Sequence, residues 1–338
     1  MQARKHMAPI DPRARLNSVD AVRGFALFGV LLVNMYNFGA YSSEWTGTLD
    51  RMCTSFMHIV FETKSLRLFA LLFGFGFALQ MGKSVATGAA RLRFYYRRLA
   101  ILFVFGMGHA LFFDGDILME YALRGCFLPL VSRLRTGALV VLAILLLAAC
   151  PIGNLVESLQ GGDPAWDPEE SMTLTELRAG HPYLGSVRDV FEENVVVIPP
   201  RIWAKLHGPE SSLAILAMFL LGLCIGRSRI VHDADRHAAG IGKLFRWCAV
   251  AGVAFALLAW LLHWQFAYAV FERSEAAIPI QLLGDLLFAY VSTALALAYA
   301  SGIVLLAQRP AWNRVLEPFQ SLGKMALTVY LSGTAMFT

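Results

Sequence analysis

Residues 286–307 read LLFAYVSTALALAYASGIVLLA and contain no charged side chain. A helix needs about 20 predominantly apolar residues to cross the hydrocarbon core of a bilayer. This stretch therefore predicts a membrane-spanning helix. The composition of the chain agrees, because 57% of its 338 residues are hydrophobic and 16% are charged, whereas soluble domains are roughly 45–50% apolar and about 25% charged.

Working outward from this stretch, the chain divides into nine apolar segments. We predict an all-α, polytopic membrane helix bundle in which about nine transmembrane helices are present. With the N-terminus in the cytoplasm, the inner segments carry more than twice as many lysines and arginines as the outer segments, which supports that orientation. The amphipathic stretch 49–61 is expected at the membrane interface. The nine segments are 22–41, 65–82, 98–113, 116–132, 136–155, 211–226, 247–266, 283–307 and 319–338.

These segments imply four regions. Residues 1–21 form a basic cytoplasmic arm, and residues 22–155 form a first membrane bundle of five helices. The acidic stretch 156–210, rich in proline and glycine, is a long extracytoplasmic loop that we interpret as an ordered lid. Residues 211–338 form a second bundle. Because the last apolar run ends without a polar flank, we expect one more helix and a tail beyond Thr338.

Residues 105–125 (FGMGHALFFDGDILMEYALRG) hold the densest group of titratable side chains. Asp116, Glu120 and Arg124 follow at intervals of four residues, which places them on one face of a helix. Arg124 would lie about two turns into the membrane, where a cation needs a partner. We therefore expect an ion pair between Glu120 and Arg124, and we expect Asp116 to cap the start of their helix.

His109 precedes this group and would lie about one turn inside the membrane. A histidine beside a carboxylate is the usual means of making a base near neutral pH, and Asp114 or Asp116 could orient it. Gly106 and Gly108 would allow another helix or a substrate to come close. The alternative is a buried, hydrogen-bonded core histidine beside a polar turn. The whole cluster favours a reaction centre.

Other polar residues have two interpretations. Arginines at the inner ends satisfy the positive-inside rule, but they could also bind the phosphates of a nucleotide-like donor. Glu62, Lys64 and Arg67 are expected to form an interfacial collar of charges. The five cysteines contain no C-x-x-C pair, and no metal site is predicted. The candidate donor-binding residues are Asp20, Arg23, Arg91, Arg93, Arg97 and Arg98.

Three stretches resemble the bacterial YeiB-type (DUF418) membrane proteins. They are RLNSVDAVRGFALFGVLLVNMYNFG (15–39), RRLAILFVFGMGHALFFDGDILMEYALRG (97–125) and LGKMALTVYLSGT (322–334). That family is similar to the transmembrane acyltransferase superfamily. The resemblance carries Asp20, Arg23 and Gly24 over with the motif SVDAVRG, and it carries the superfamily's first-helix asparagine over to Asn34. Where the superfamily has its catalytic histidine, this chain has Trp45, so we turn to His109 as the base.

What the resemblance implies is transfer of an acyl group, acetyl above all, from cytoplasmic acyl-CoA to a hydroxyl or amine on the far side of a bacterial inner membrane. The acceptor would be a small molecule, a glycan or a lipid-linked group, and no nucleic-acid partner is expected. A homodimer remains open. The alternatives are a secondary transporter of a small metabolite and a non-catalytic membrane protein. The candidate catalytic residues are His109, Asp116, Asn34 and Glu120, with Asn34 holding the developing oxyanion.

Overall fold

A computed structural model describes residues 17–42, 47–82, 88–113, 115–159, 186–192, 194–196, 210–271 and 277–337. Throughout these ranges the chain forms helices joined by turns, and no strand occurs in them. The predicted all-α class is confirmed.

Seven helices make up the first half of the chain. In chain order they are α1 (Asn17–Ser42), α2 (Thr48–Val60), α3 (Glu62–Gly82), α4 (Gly88–Ala110), α5 (Leu118–Gly125), α6 (Leu128–Val131) and α7 (Thr136–Leu159).

Five helices make up the second half. They are α8 (Glu210–Ser228), α9 (Ala234–Phe271), α10 (Ala277–Leu306), α11 (Asn313–Lys324) and α12 (Ala326–Phe337). Two short helical pieces, 187–192 and 194–196, precede them. Four stretches of the described chain are long and apolar enough to cross a membrane: Asn17–Met35, Glu62–Gly82, Ala234–Leu258 and Leu282–Leu306.

Several predicted boundaries were wrong. The helix predicted to begin at residue 98 begins at Gly88, and the helix predicted over 247–266 extends over Ala234–Phe271. Two predicted single spans are each divided. Segment 116–132 consists of α5 and α6, and segment 319–338 contains α11 and α12 with a break at Met325.

Pro129 accounts for the break between α5 and α6. A proline inside a helix has no N–H to donate and its ring clashes with the carbonyl four residues earlier, here that of Gly125. The helix ends at Gly125, and Pro129 instead occupies the first turn of α6. The Gly125 carbonyl accepts a hydrogen bond from the Tyr95 hydroxyl at 2.8 Å, so α4 satisfies the oxygen that the helix leaves unused.

Glycines allow two pairs of helices to pack backbone against backbone. Gly74 of α3 faces the carbonyl of Phe219 in α8, and Gly222 of α8 faces the carbonyl of Leu71. In the same way Gly24 of α1 and Gly323 of α11 each face a carbonyl of the opposite helix. A Cβ at any of these four positions would overlap main-chain atoms. Glycine at these four positions therefore permits close helix packing.

Helix α2 is amphipathic, as predicted. Leu49, Met52, Phe56 and Ile59 are all exposed, and their spacing of three and four residues places them on one face. This apolar face points away from the rest of the protein. Such a face suits a helix that lies in the membrane interface immediately before α3 enters the bilayer.

The Gly74–Phe219 contact is testable with a matched pair of substitutions. We expect Gly74→Ala to lower the free energy of unfolding in detergent by about 1–3 kcal/mol, because the new methyl group forces α3 and α8 apart. A Cβ at Gly76 meets nothing within 4 Å. Gly76→Ala should therefore be neutral or stabilising by up to about 1 kcal/mol. Equal effects of the two substitutions on thermal unfolding would contradict this packing.

Candidate functional site

His109 and Asp116 form a hydrogen-bonded pair at the turn between α4 and α5. Nδ1 of His109 lies 2.8 Å from Oδ1 of Asp116. His109 is 6% exposed and Asp116 is 1% exposed, so the pair is shielded from solvent. A carboxylate that accepts the Nδ1 proton leaves the lone pair of the neutral imidazole on Nε2. The pair can therefore present a basic nitrogen whose orientation is fixed.

Asp116 also caps the first turn of α5, as predicted. Its second oxygen, Oδ2, accepts a hydrogen bond from the backbone N–H of Met119 at 2.9 Å. This is the pattern of a helix cap, in which a side-chain oxygen binds an otherwise unpaired amide of the first turn. One carboxylate thus fixes the histidine ring and the start of the helix together. Asp114, the other predicted orienting residue, lies outside the described residues.

Gly106 allows α5 to approach α4 at this point. A Cβ at Gly106 would press against the backbone nitrogen of Met119 and Oδ2 of Asp116. The approach predicted for the two glycines is therefore confirmed at Gly106. Gly108 differs, because it is exposed and a Cβ there meets nothing within 4 Å.

Tyr330 of α12 covers the histidine. The rings of Tyr330 and His109 have centroids 4.7 Å apart and are tilted by 40°. The Tyr330 hydroxyl accepts a weak hydrogen bond from the Ile117 backbone N–H at 3.4 Å. Sequence reasoning missed Tyr330, although it lies within the quoted stretch LGKMALTVYLSGT. The contact joins residues more than 200 positions apart, and helical periodicity carries no signal of such pairing.

The predicted ion pair between Glu120 and Arg124 is present. Nη2 of Arg124 lies 3.8 Å from Oε1 of Glu120, and both side chains are buried. Tyr121, next to Glu120, donates a hydrogen bond from its hydroxyl to the Leu66 carbonyl at 2.6 Å. This hydrogen bond links α5 to α3 beside the His109–Asp116 pair.

A cavity of about 510 Å³ lies beside this centre. We call it the α3–α4 cavity, because those two helices supply most of its wall. Tyr330, Ile117 and Tyr121 line it near the histidine, and Arg23 and Arg98 also line it. Nη1 of Arg98 donates a hydrogen bond to Oε1 of Gln80 at 2.6 Å. The cavity thus combines aromatic and aliphatic walls with two guanidinium groups.

The other predicted donor-binding residues lie apart from this cavity. Arg93 and Arg97 are exposed, and Arg91 donates to the carbonyl of Met81 at the C-terminal end of α3. Asp20 pairs with Arg23 at 2.8 Å. Hence Arg23 and Arg98 both line the cavity, whereas Arg91, Arg93 and Arg97 do not.

Asn34 is buried on α1, one turn beyond Val30, which belongs to the same hydrophobic cluster as Tyr330. Among the described residues no hydrogen bond joins Asn34 to the His109–Asp116 pair. No group of three histidine, cysteine or acidic side chains suited to a metal ion occurs in the described ranges.

The expected interfacial collar at the start of α3 was wrong. Lys64 is 4% exposed and Arg67 is 8% exposed, so both lie inside the bundle. Arg67 donates to the Ala289 carbonyl and, at 2.7 Å, to Oγ1 of Thr293. Nζ of Lys64 lies 5.6 Å from the centroid of the Phe288 ring. Partners on α10 therefore allow this burial, and they are more than 200 residues away in the chain.

Part of the predicted lid packs against the turn beside His109. The side-chain amide of Asn194 donates to the Leu111 carbonyl at 3.3 Å, and the rings of Phe191 and Phe112 have centroids 6.1 Å apart. Asn194 is buried. The described pieces of the long loop thus cover the end of α4, immediately after the histidine.

The chain is similar to a described protein family and to several bacterial proteins. Residues 225–338 match the family described as "Protein of unknown function (DUF418)". The chain is 28% identical to "Uncharacterized protein YxaH" of Bacillus subtilis (strain 168), over 98% of this chain and 83% of that protein. It is also 28% identical to "Uncharacterized protein YeiB" of Escherichia coli (strain K12), over 95% of this chain and 82% of that protein. No solved structure matches the chain.

The role of Gly106 can be tested by hydrogen exchange. We expect Gly106→Ala to displace Asp116 from the Met119 amide, so that the amide of Met119 exchanges faster with deuterium. Gly108→Ala is the matched control, because open space surrounds it, and it should leave that exchange rate unchanged. Unchanged protection of Met119 in Gly106→Ala would show that the contact between α4 and α5 is looser than described.

Proposed function

We propose that this chain, which belongs to the YeiB-type DUF418 family, is a membrane-embedded acyltransferase. It would move an acyl group from acyl-CoA to a hydroxyl or amine. The proposal is carried by the buried His109–Asp116 pair, which lies beside a cavity whose wall also contains Arg23 and Arg98. A fixed base and a cationic donor site are what this reaction requires.

The chemistry assigned to the pair is general base catalysis. Nε2 of His109 takes the proton of the acceptor as its oxygen or nitrogen attacks the thioester carbon. A C–O or C–N bond forms, the C–S bond breaks, and the same proton passes to the departing CoA thiolate. Asp116 stabilises the imidazolium that forms between these two transfers. Asp116 is therefore a positioning residue, and His109 is the catalytic residue.

The α3–α4 cavity would hold the donor. The guanidinium groups of Arg23 and Arg98 would bind its phosphates, and the rest of the donor would extend toward Tyr330. Because the Tyr330 ring covers His109, it must shift when the thioester arrives. Asn34, one turn beyond Val30 of the cluster that contains Tyr330, would then donate to the developing oxyanion. Glu120 and Arg124 would hold α5 in place beneath the pair.

The proposal includes a topology. With nine spans and a cytoplasmic N-terminus, Arg23, Gln80 and Arg98 lie toward the cytoplasm, and His109 lies toward the outer surface. The donor would then enter from the cytoplasm, and the acceptor would approach beneath the lid around Asn194. A bacterial inner membrane is the compartment where acyl-CoA and such an acceptor meet, and the bilayer is the first partner of the chain.

One observation favours a second function, secondary transport. The ion pair of Glu120 and Arg124 is buried inside the bundle, and buried ion pairs of membrane proteins recur in proton and solute pathways. Counterflow of a labelled metabolite in proteoliposomes, with no release of thiol from acyl-CoA, would favour transport over acyl transfer.

Replacement of the histidine tests the proposed base. We expect His109→Gln to lower the release of free thiol from acyl-CoA, with glucosamine supplied as acceptor, by about 10²- to 10⁴-fold. His237, an exposed histidine on α9, supplies the control, and His237→Gln should retain full turnover. Turnover by His109→Gln at the wild-type rate would exclude His109 as the base. If the wild-type chain turned over none of the acyl-CoA donors tested, the proposed acyltransferase activity would be excluded.

Obstruction of the cavity tests the donor path. Gly76 lines the cavity, and a Cβ there meets no atom within 4 Å, so Gly76→Leu should fill the space without disturbing the helices. We expect it to raise KM for acyl-CoA at least tenfold, because the donor loses its apolar contacts. Gly82→Leu, at the end of the same helix and outside the cavity, should leave KM unchanged. Equal KM values for both variants would exclude this path.

A further inference from the structure

The α3–α4 cavity is elongated along α3. Its α3 wall follows one helical face from Phe69 to Gln80, a distance of about 16 Å at 1.5 Å per residue. The α4 wall follows a matching face from Tyr95 to Phe105. The two ends of the cavity are chemically different, and this difference orients a ligand.

The inner end is suited to an anion. Arg98 and Gln80 are joined by a hydrogen bond of 2.6 Å, and Arg23 lines the same cavity. Nε2 of Gln80 is buried and makes no hydrogen bond to the described residues. A buried amide N–H that has no acceptor among the described residues, beside the guanidinium group of Arg98, indicates that a negatively charged group completes this end.

The outer end is suited to hydrocarbon. Phe69, Ile117 and Leu118 line it. Tyr121 presents its ring to the cavity at this end, because its hydroxyl is donated to the Leu66 carbonyl. Polar groups of a ligand would find few donors at this end, whereas an apolar chain would lose contact with water at no cost in hydrogen bonds.

The cavity is open at its side as well. Ile101, Phe105 and Leu327 line it, yet they are 47%, 46% and 40% exposed. If α4 and α12 are membrane spans, as the proposed topology has them, these exposed apolar side chains face lipid and the opening leads into the bilayer. Phe105 precedes His109 by one helical turn, and Leu327 precedes Tyr330 by three residues. The lateral opening therefore reaches the pair that we assign to the reaction.

We infer that the lateral opening carries the acyl chain of the donor, and that the preferred donors are long-chain acyl thioesters rather than acetyl-CoA. The anionic part of the donor lies at Arg98 and Gln80, and the segment between its phosphates and its thioester fills the cavity. The acyl chain passes Phe105 and Leu327 into the bilayer. This inference rests on the proposed function, and it replaces the acetyl group that the family resemblance implies.

The physical basis is the transfer of methylene groups from water to an apolar environment. Each buried methylene favours binding by up to about fourfold. An acetyl group makes little use of a lipid-facing opening, whereas a chain of on the order of ten carbons would contact its whole rim. Specificity should therefore rise steadily with chain length and depend on the side chains that line the rim.

The test uses the full chain in phosphatidylcholine nanodiscs. Turnover is measured with acetyl-, octanoyl-, lauroyl- and palmitoyl-CoA, and the attachment site of a photoreactive palmitoyl-CoA is mapped by mass spectrometry. Phe105→Asn places a polar group in the rim. Val104→Asn is the control, since Val104 is the adjacent residue, is 68% exposed and lies outside the cavity wall.

We expect kcat/KM to rise at least tenfold from acetyl- to octanoyl-CoA, and the probe to label Ile101, Phe105 or Leu327. Phe105→Asn should flatten this dependence and reduce labelling about fivefold or more, whereas Val104→Asn should change neither. Acetyl-CoA turnover with no gain from longer chains, or equal behaviour of the two variants, would overturn the inference and leave the acyltransferase standing. The probe could also label the rim in the wild-type chain and not in Phe105→Asn, while no acyl-CoA is turned over. That result would support an acyl-chain binding site at the opening and would exclude the acyltransferase activity.

Discussion

The hydrogen bond between His109 and Asp116 is the interaction on which the rest of this site depends. Its carboxylate fixes the imidazole through one oxygen and begins α5 through the other. A buried carboxylate is costly unless its oxygens are satisfied, and both are engaged in this way. The geometry exists because Gly106 lets the first turn of α5 come against α4. Asp116 therefore both caps the first turn of α5 and orients the candidate base His109.

The same constraint governs the other polar groups of the bundle. A charged or polar group at membrane depth must find a partner within the protein. Arg124 has Glu120 one turn away, and Arg67 reaches a carbonyl and a hydroxyl on α10. The helix break before Pro129 frees a carbonyl, which Tyr95 then satisfies. These bonds connect helices that are distant in the chain.

Local patterns predicted a large part of this arrangement. The apolar runs indicated an all-helical membrane protein, and four-residue spacing predicted the pairing of Glu120 with Arg124 and the capping role of Asp116. Pro129 was a signal for the break after Gly125 that we did not use. The remaining features depend on contacts between distant segments. The cover of His109 by Tyr330 and the burial of Lys64 and Arg67 follow from how α10 and α12 pack, and helical periodicity does not encode such packing.

The position of the proton on His109 decides whether this histidine can act as the base. Nitrogen NMR of the full chain with ¹⁵N-labelled histidine, assigned with His109→Gln, would identify the tautomer at a pH of about 9, above the ordinary range of histidine titration. The account predicts a proton on Nδ1, bonded to Asp116, and an unprotonated Nε2. A proton on Nε2 in the neutral ring would contradict this assignment, because the lone pair would then lie on Nδ1, which faces Asp116, and Nε2 could not take a proton from an acceptor.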